Sequence, residues 1–73
     1  MNNLEYLTQK LKSMYSQAEP GYLVTSIHLF GIKYANQFRG IDLNVLAFNA
    51  TGKSSYGTEI RKGIKLAKFV EIK

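Results

Sequence analysis

Residues 43–68, LNVLAFNATGKSSYGTEIRKGIKLAK, decide the fold. An apolar run opens this stretch, a glycine-containing turn follows, and a patterned basic segment completes it. Asp42 stands where a side-chain oxygen can cap a short helix over 43–50. That helix is apolar almost all round, so we expect it to be the most buried element. Residues 51–53, Thr-Gly-Lys, predict a tight turn. The stretch therefore predicts two helices joined by a short turn.

The basic segment after the turn carries two stripes at helical spacing. Ser54 or Ser55 is placed to cap this helix, which we expect to run over 56–68. The apolar stripe consists of Tyr56, Ile60, Gly63, Ile64 and Ala67. The polar stripe consists of Thr58, Arg61, Lys62, Lys65 and Lys68. Because the stripes occupy different faces, one face can pack on a core while the other meets phosphates and bases.

Positive charge is concentrated in the same part of the chain. The net charge is +5, and residues 52–73 hold six of the ten bases but only two of the five acids. A basic face is often only a solvated surface. A buried helix and a turn directly before it, however, form helix-turn-helix geometry, which favours nucleic-acid binding. The predicted DNA-contacting residues are Lys53, Ser54, Ser55, Thr58, Arg61, Lys62, Lys65 and Lys68.

Two more helices are predicted before this stretch. The first has an apolar stripe of Leu4, Leu7, Leu11, Met14 and Ala18, and Glu-Pro-Gly at 19–21 ends it. The second is capped by Thr25 or Ser26 and carries Ile27, Phe30, Gly31, Tyr34 and Phe38 on one face, with a stop at 39–40. Gly31 is expected to let a neighbouring helix approach closely.

Short extended segments are predicted at 22–24 and 69–73, and they could pair as a two-stranded ribbon. The predicted fold is therefore mainly α: a small helix-turn-helix domain of about four helices, with a winged-helix-like ribbon as an option. A length of 73 residues predicts one domain over 1–73 with a modest core.

Two stretches, IHLFGIKYA at 27–35 and SSYGTEIRKGIKLAKFV at 54–70, resemble small bacterial helix-turn-helix-like domain proteins. Some of these proteins are carried by phages and other mobile elements. The resemblance covers about residues 22–72. It implies DNA binding through the second helix of the motif, here 55–68.

The sequence contains no clear motif for catalysis or for binding a metal ion or cofactor. Cysteine is absent, and His28 is the only histidine, so a metal site has no plausible ligand set. The Gly-Lys-Ser at 52–54 lacks the earlier glycine of a phosphate-binding loop, because position 47 is alanine. Glu59 is expected to pair with Lys62 rather than to act as a general acid. We expect a non-enzymatic protein without metal or cofactor.

The sequence leaves the biological role open between two classes. The first is a transcriptional regulator that reads bases with Thr58 and Arg61, and such proteins commonly pair on two half-sites. The first helix could serve such a dimer, although its stripe is expected to belong to the core. The alternative is an accessory subunit that docks on a larger DNA-processing enzyme, with single-stranded DNA as a further contact. No apolar run predicts a signal peptide or membrane span, so we expect a cytoplasmic protein off the membrane.

Overall fold

A computed structural model describes residues 3–70 of the chain, which are mainly helical. The α-helices are α1 (Asn3–Gln17), α2 (Leu23–Lys33), α3 (Leu43–Thr51) and α4 (Gly57–Leu66). Two single-turn 3₁₀ helices, Ala35–Gln37 and Ser54–Tyr56, precede α3 and α4. The prediction of about four helices is confirmed.

The core is built from the predicted apolar stripes of all four helices. Its fully buried side chains are Leu7 and Leu11 of α1, Ile27 and Phe30 of α2, Leu46 of α3 and Ile60 of α4. Leu4 and Met14 pack against this cluster and are half-buried. The stripe on α1 therefore lies in the monomer core, as expected, which leaves α1 little apolar surface for a dimer.

The predicted start of α3 and the turn after it are confirmed in detail. Asp42 Oδ1 accepts hydrogen bonds from the amides of Asn44 at 2.9 Å and Val45 at 3.2 Å. At the other end, Gly52 takes a left-handed conformation with φ +81° and donates its amide to the Phe48 carbonyl. A side chain would strain that conformation, so glycine is favoured there.

The predicted ribbon is wrong for the residues that the structure describes. Residues 3–70 contain no strand. The first helical turn of α2 contains Leu23 and Val24, because Gly21 reverses the chain at φ +88° and the Ser26 amide already donates to the Tyr22 carbonyl. Phe69 lies in a turn that continues from α4, and residues 71–73 of the predicted second strand lie outside the described range.

Both predicted boundaries of α2 need correction. Neither Thr25 nor Ser26 caps α2, since the helix begins earlier and the Ser26 hydroxyl donates to the Leu23 carbonyl inside it. The same helix ends at Lys33, and a 3₁₀ turn carries the chain on to Phe38, which is still buried against Phe30.

The cap and length of the basic helix, and the burial of α3, also differ from the predictions. Ser54 and Ser55 do not cap α4, because they form the 3₁₀ turn before it. The helix ends at Leu66, and residues 67–69 continue as a turn. Val45 and Phe48 of α3 are 42% and 58% exposed, so only one face of α3 is buried.

Candidate nucleic-acid interface

The inner face of α4 is seated on α2 through a contact between glycines. A Cβ built on Gly31 would lie 2.5 Å from the Ile60 carbonyl oxygen and 2.9 Å from the Cα of Gly63. A Cβ on Gly63 would meet the backbone carbonyl of His28. The prediction that Gly31 admits a neighbouring helix is confirmed, and the neighbour is α4.

A second close approach sets the beginning of α4 against α3. Gly57 is buried, and a Cβ on it would lie 3.0 Å from both the Cα and the amide nitrogen of Asn44. Between the two helices, Thr51 Oγ1 accepts from the Lys53 amide at 3.1 Å and donates to the Ala47 carbonyl at 2.8 Å. These contacts pack α3, the turn and α4 against one another in a helix-turn-helix arrangement.

The outer face of α4 presents the predicted polar stripe to solvent. Every member of that stripe is exposed, and the apolar stripe on the opposite face is buried or half-buried. The exposed members are Thr58, Arg61, Lys62, Lys65 and, in the turn after the helix, Lys68. The structure thus gathers the predicted α4 cations on one accessible surface.

The remaining predicted contacts lie in the turn before α4. Lys53, Ser54 and Ser55 are exposed there. The Lys53 ammonium lies 5.6 Å from the centre of the Tyr56 ring, within cation–π range. Tyr56 itself is half-buried with its ring 5.9 Å from that of Tyr15, so its predicted place at the core is confirmed.

Glu59 joins α4 to α2 through a contact that sequence spacing did not reveal. His28 Nε2 donates to Glu59 Oε1 at 2.7 Å, and Nε2 must carry the hydrogen because a carboxylate only accepts. The predicted ion pair with Lys62 is also present at 3.4 Å. The hydrogen bond from His28, together with the nearby Lys62 charge, lowers the pKa of Glu59 below its ordinary value. The single acid of α4 is therefore held by two neighbours, one on α2 and one on α4.

Residues 3–70 hold no group of three histidine, cysteine, aspartate or glutamate side chains that could bind a metal ion. Among those residues, no helix combines the length and apolar character that a membrane crossing requires.

The helix-turn-helix arrangement of α3 and α4 agrees with the family to which the sequence is similar. The model of the HTH-like domain family matches residues 3–73, nearly the whole chain. The chain belongs to the HTH-like domain family. No curated protein and no solved structure matches it. The predicted tie to phages or other mobile elements stays a prediction.

Proposed function

We propose that this chain binds duplex DNA by placing α4 in the major groove, and that it acts in the cytoplasm as a non-enzymatic transcriptional regulator. The observation that carries the proposal is the exposed stripe of α4, with its opposite face held by Gly31 and Gly63. Membership in the HTH-like domain family supports it. A helix about 10–12 Å across fits a groove about 12 Å wide.

Each exposed side chain has a role that follows from its chemistry and position. Arg61 and Thr58 lie on consecutive turns of the outer face, where a guanidinium can donate twice to guanine and a hydroxyl can contact a base edge. Lys65 and Lys68 lie nearer the end of the helix, where flexible ammonium groups suit phosphates. Lys62 also contacts the DNA phosphate backbone, since phosphates can compete with Glu59 for its ammonium group.

Fluorescence anisotropy against random duplex DNA across a salt series tests the proposal. The test variant changes Arg61, Lys62 and Lys65 to alanine, which removes three charges from the α4 face. The matched control changes Lys10, Lys12 and Lys33 to alanine, which removes three exposed charges elsewhere. We expect the slope of log K against log salt to fall by about 2–3 in the first variant and little in the control. Equal effects in both would reduce the binding to net charge and reject the α4 face.

An accessory subunit of a larger DNA-processing enzyme is the second candidate. It draws support from Phe69 and Leu66, which are 83% and 42% exposed beside the basic face and give a partner an apolar contact. Selection from random duplex oligonucleotides discriminates the two roles. A recovered consensus site supports the regulator, and binding without any consensus supports the accessory subunit.

A further inference from the structure

An open cleft lies at the end of α4, on the side that faces α2. It is shallow, with a volume of about 340 Å³, and is lined by His28, Lys62, Lys65, Leu66 and Phe69. The size falls within the range of sites that accept a few side chains or a small ligand. The cleft is distinct from the turn between α3 and α4, since its lining residues on α4 lie in the second half of that helix.

The floor of the cleft is apolar and exposed. Phe69 is the most exposed of the large apolar residues that the structure describes, at 83%, and Leu66 adds a second apolar surface one turn earlier. Aromatic and leucine side chains together in an accessible concavity are typical of a docking site for another protein. DNA phosphates and sugars do not require such a floor.

The rim of the cleft is cationic. Lys62 and Lys65 border it on α4, and His28 borders it on α2. None of the described residues that line it is acidic, and Glu59 next to it is already held by His28 and Lys62. A ligand that seats an apolar group in this cleft therefore gains most from carrying carboxylates beside that group.

From the apolar floor and the cationic rim, we infer that the cleft docks an acidic amphipathic segment of a partner protein. An apolar anchor of the segment lies between Leu66 and Phe69, and its Asp or Glu side chains pair with Lys65 and compete with Glu59 for Lys62. A helix with anchors three or four residues apart suits this arrangement. A second copy of this chain fits less well, because each copy carries a net charge of +5.

The docked segment would control the DNA surface. Lys62 and Lys65 belong both to the cleft rim and to the proposed DNA face. Neither lysine can bind a carboxylate of the partner and a DNA phosphate at the same time. The partner therefore excludes DNA from α4 when it is bound. This consequence rests on the proposed function, whereas the docking itself does not.

Selection from a phage-displayed library of random peptides about 16 residues long, on the full chain, tests the docking. We expect recovered peptides to place acidic residues beside aromatic or leucine anchors at helical spacing. One recovered peptide is then labelled, and its affinity is measured by anisotropy. Phe69→Ala should weaken binding about tenfold or more. Phe48→Ala, which removes another exposed phenylalanine on α3, should leave the affinity unchanged.

Three results would overturn the docking: a library that yields no enriched peptides, a consensus without acidic residues, or affinity that survives Phe69→Ala. Self-association detected by sedimentation and abolished by Phe69→Ala would assign the cleft to a second copy instead. Competition with random duplex DNA separates this inference from the proposed function. Peptide binding that depends on Phe69, in a chain that fails to bind DNA, would support the docking and refute only the DNA role.

Discussion

Gly31 of α2 and Gly63 of α4 face each other so closely that a Cβ built on Gly31 would lie 2.9 Å from the Cα of Gly63. The two helices therefore meet through backbone atoms instead of interlocking side chains. Because the backbone cannot rotate away as a side chain can, the contact fixes the distance between α2 and α4. The exposure of the polar stripe on α4 depends on that distance.

Gly63→Ala should destabilise the fold. Alanine has the better helix propensity by about 1 kcal/mol. Its Cβ, however, would meet the His28 carbonyl and the Gly31 backbone, and overpacking of this kind costs about 1–3 kcal/mol. Because backbone neighbours cannot yield cheaply, we expect a net loss in the free energy of unfolding, measured by urea denaturation. Thr58→Ala on the exposed face is the control and should change stability by less than about 0.5 kcal/mol. A stabilised Gly63→Ala protein would contradict the close helix contact.

Asp42→Ala should cost about 1 kcal/mol of stability, since the carboxylate accepts from two amides at the start of α3. Asp42→Asn retains a side-chain oxygen and should keep most of that stability. Urea denaturation of both variants measures the difference. If the alanine and asparagine variants were equally destabilised, the loss would come from the charge of Asp42 and not from its capping hydrogen bonds.

The contact between His28 and Glu59 should make stability depend on pH. His28 and Lys62 lower the pKa of Glu59, so the folded state favours the ionised carboxylate. This contribution is fully present above the ordinary carboxyl pKa of 4.5 and is lost as the pH falls through the lower pKa of the folded state. Urea midpoints of the wild type and of Glu59→Gln should therefore converge as the pH falls below about 4.5. Parallel curves across the acid range would reject the contact as a source of stability.

Arg61→Ala and Lys65→Ala should weaken DNA binding in different ways. An arginine that donates twice to a guanine contributes about 1–3 kcal/mol to discrimination at that base. A lysine on a phosphate adds affinity for any sequence and about one unit of salt slope. With a selected site and its single-base variants, Arg61→Ala should relax specificity at one position, whereas Lys65→Ala should weaken all sites alike. The reverse pattern would exchange the two roles.

The local sequence pattern was sufficient to predict the buried and exposed faces of single helices. The stripe of α4 was predicted residue by residue, and that of α1 from Leu4 to Met14, because burial on one face imposes a period that the sequence displays directly. Ala18, the last predicted member of the α1 stripe, lies just beyond that helix. The Asp42 cap and the Gly52 turn were predicted for a similar reason, since each depends on one residue type at one position.

Two features of the structure were not predicted. The partner of Glu59 is His28, 31 residues earlier, and only the packing of α2 on α4 brings them together. The start of α2 was missed because the local sequence at Leu23 and Val24 favours a strand. In the structure the chain reverses at Gly21, and the helix begins shortly after it with these two residues. The predicted contact residues are all exposed, which makes them available to DNA.

The shortness of α4 limits the information that one copy can extract from a genome. Ten helical residues span roughly 15 Å, which corresponds to about four base pairs at 3.4 Å per step. A word of about four letters recurs by chance roughly once in every few hundred positions of random sequence. If α4 reads bases, one chain recognises a short base sequence that occurs many times in a genome, and not a single site. Uniqueness must then come from neighbouring copies or from a partner that delivers the chain to one place.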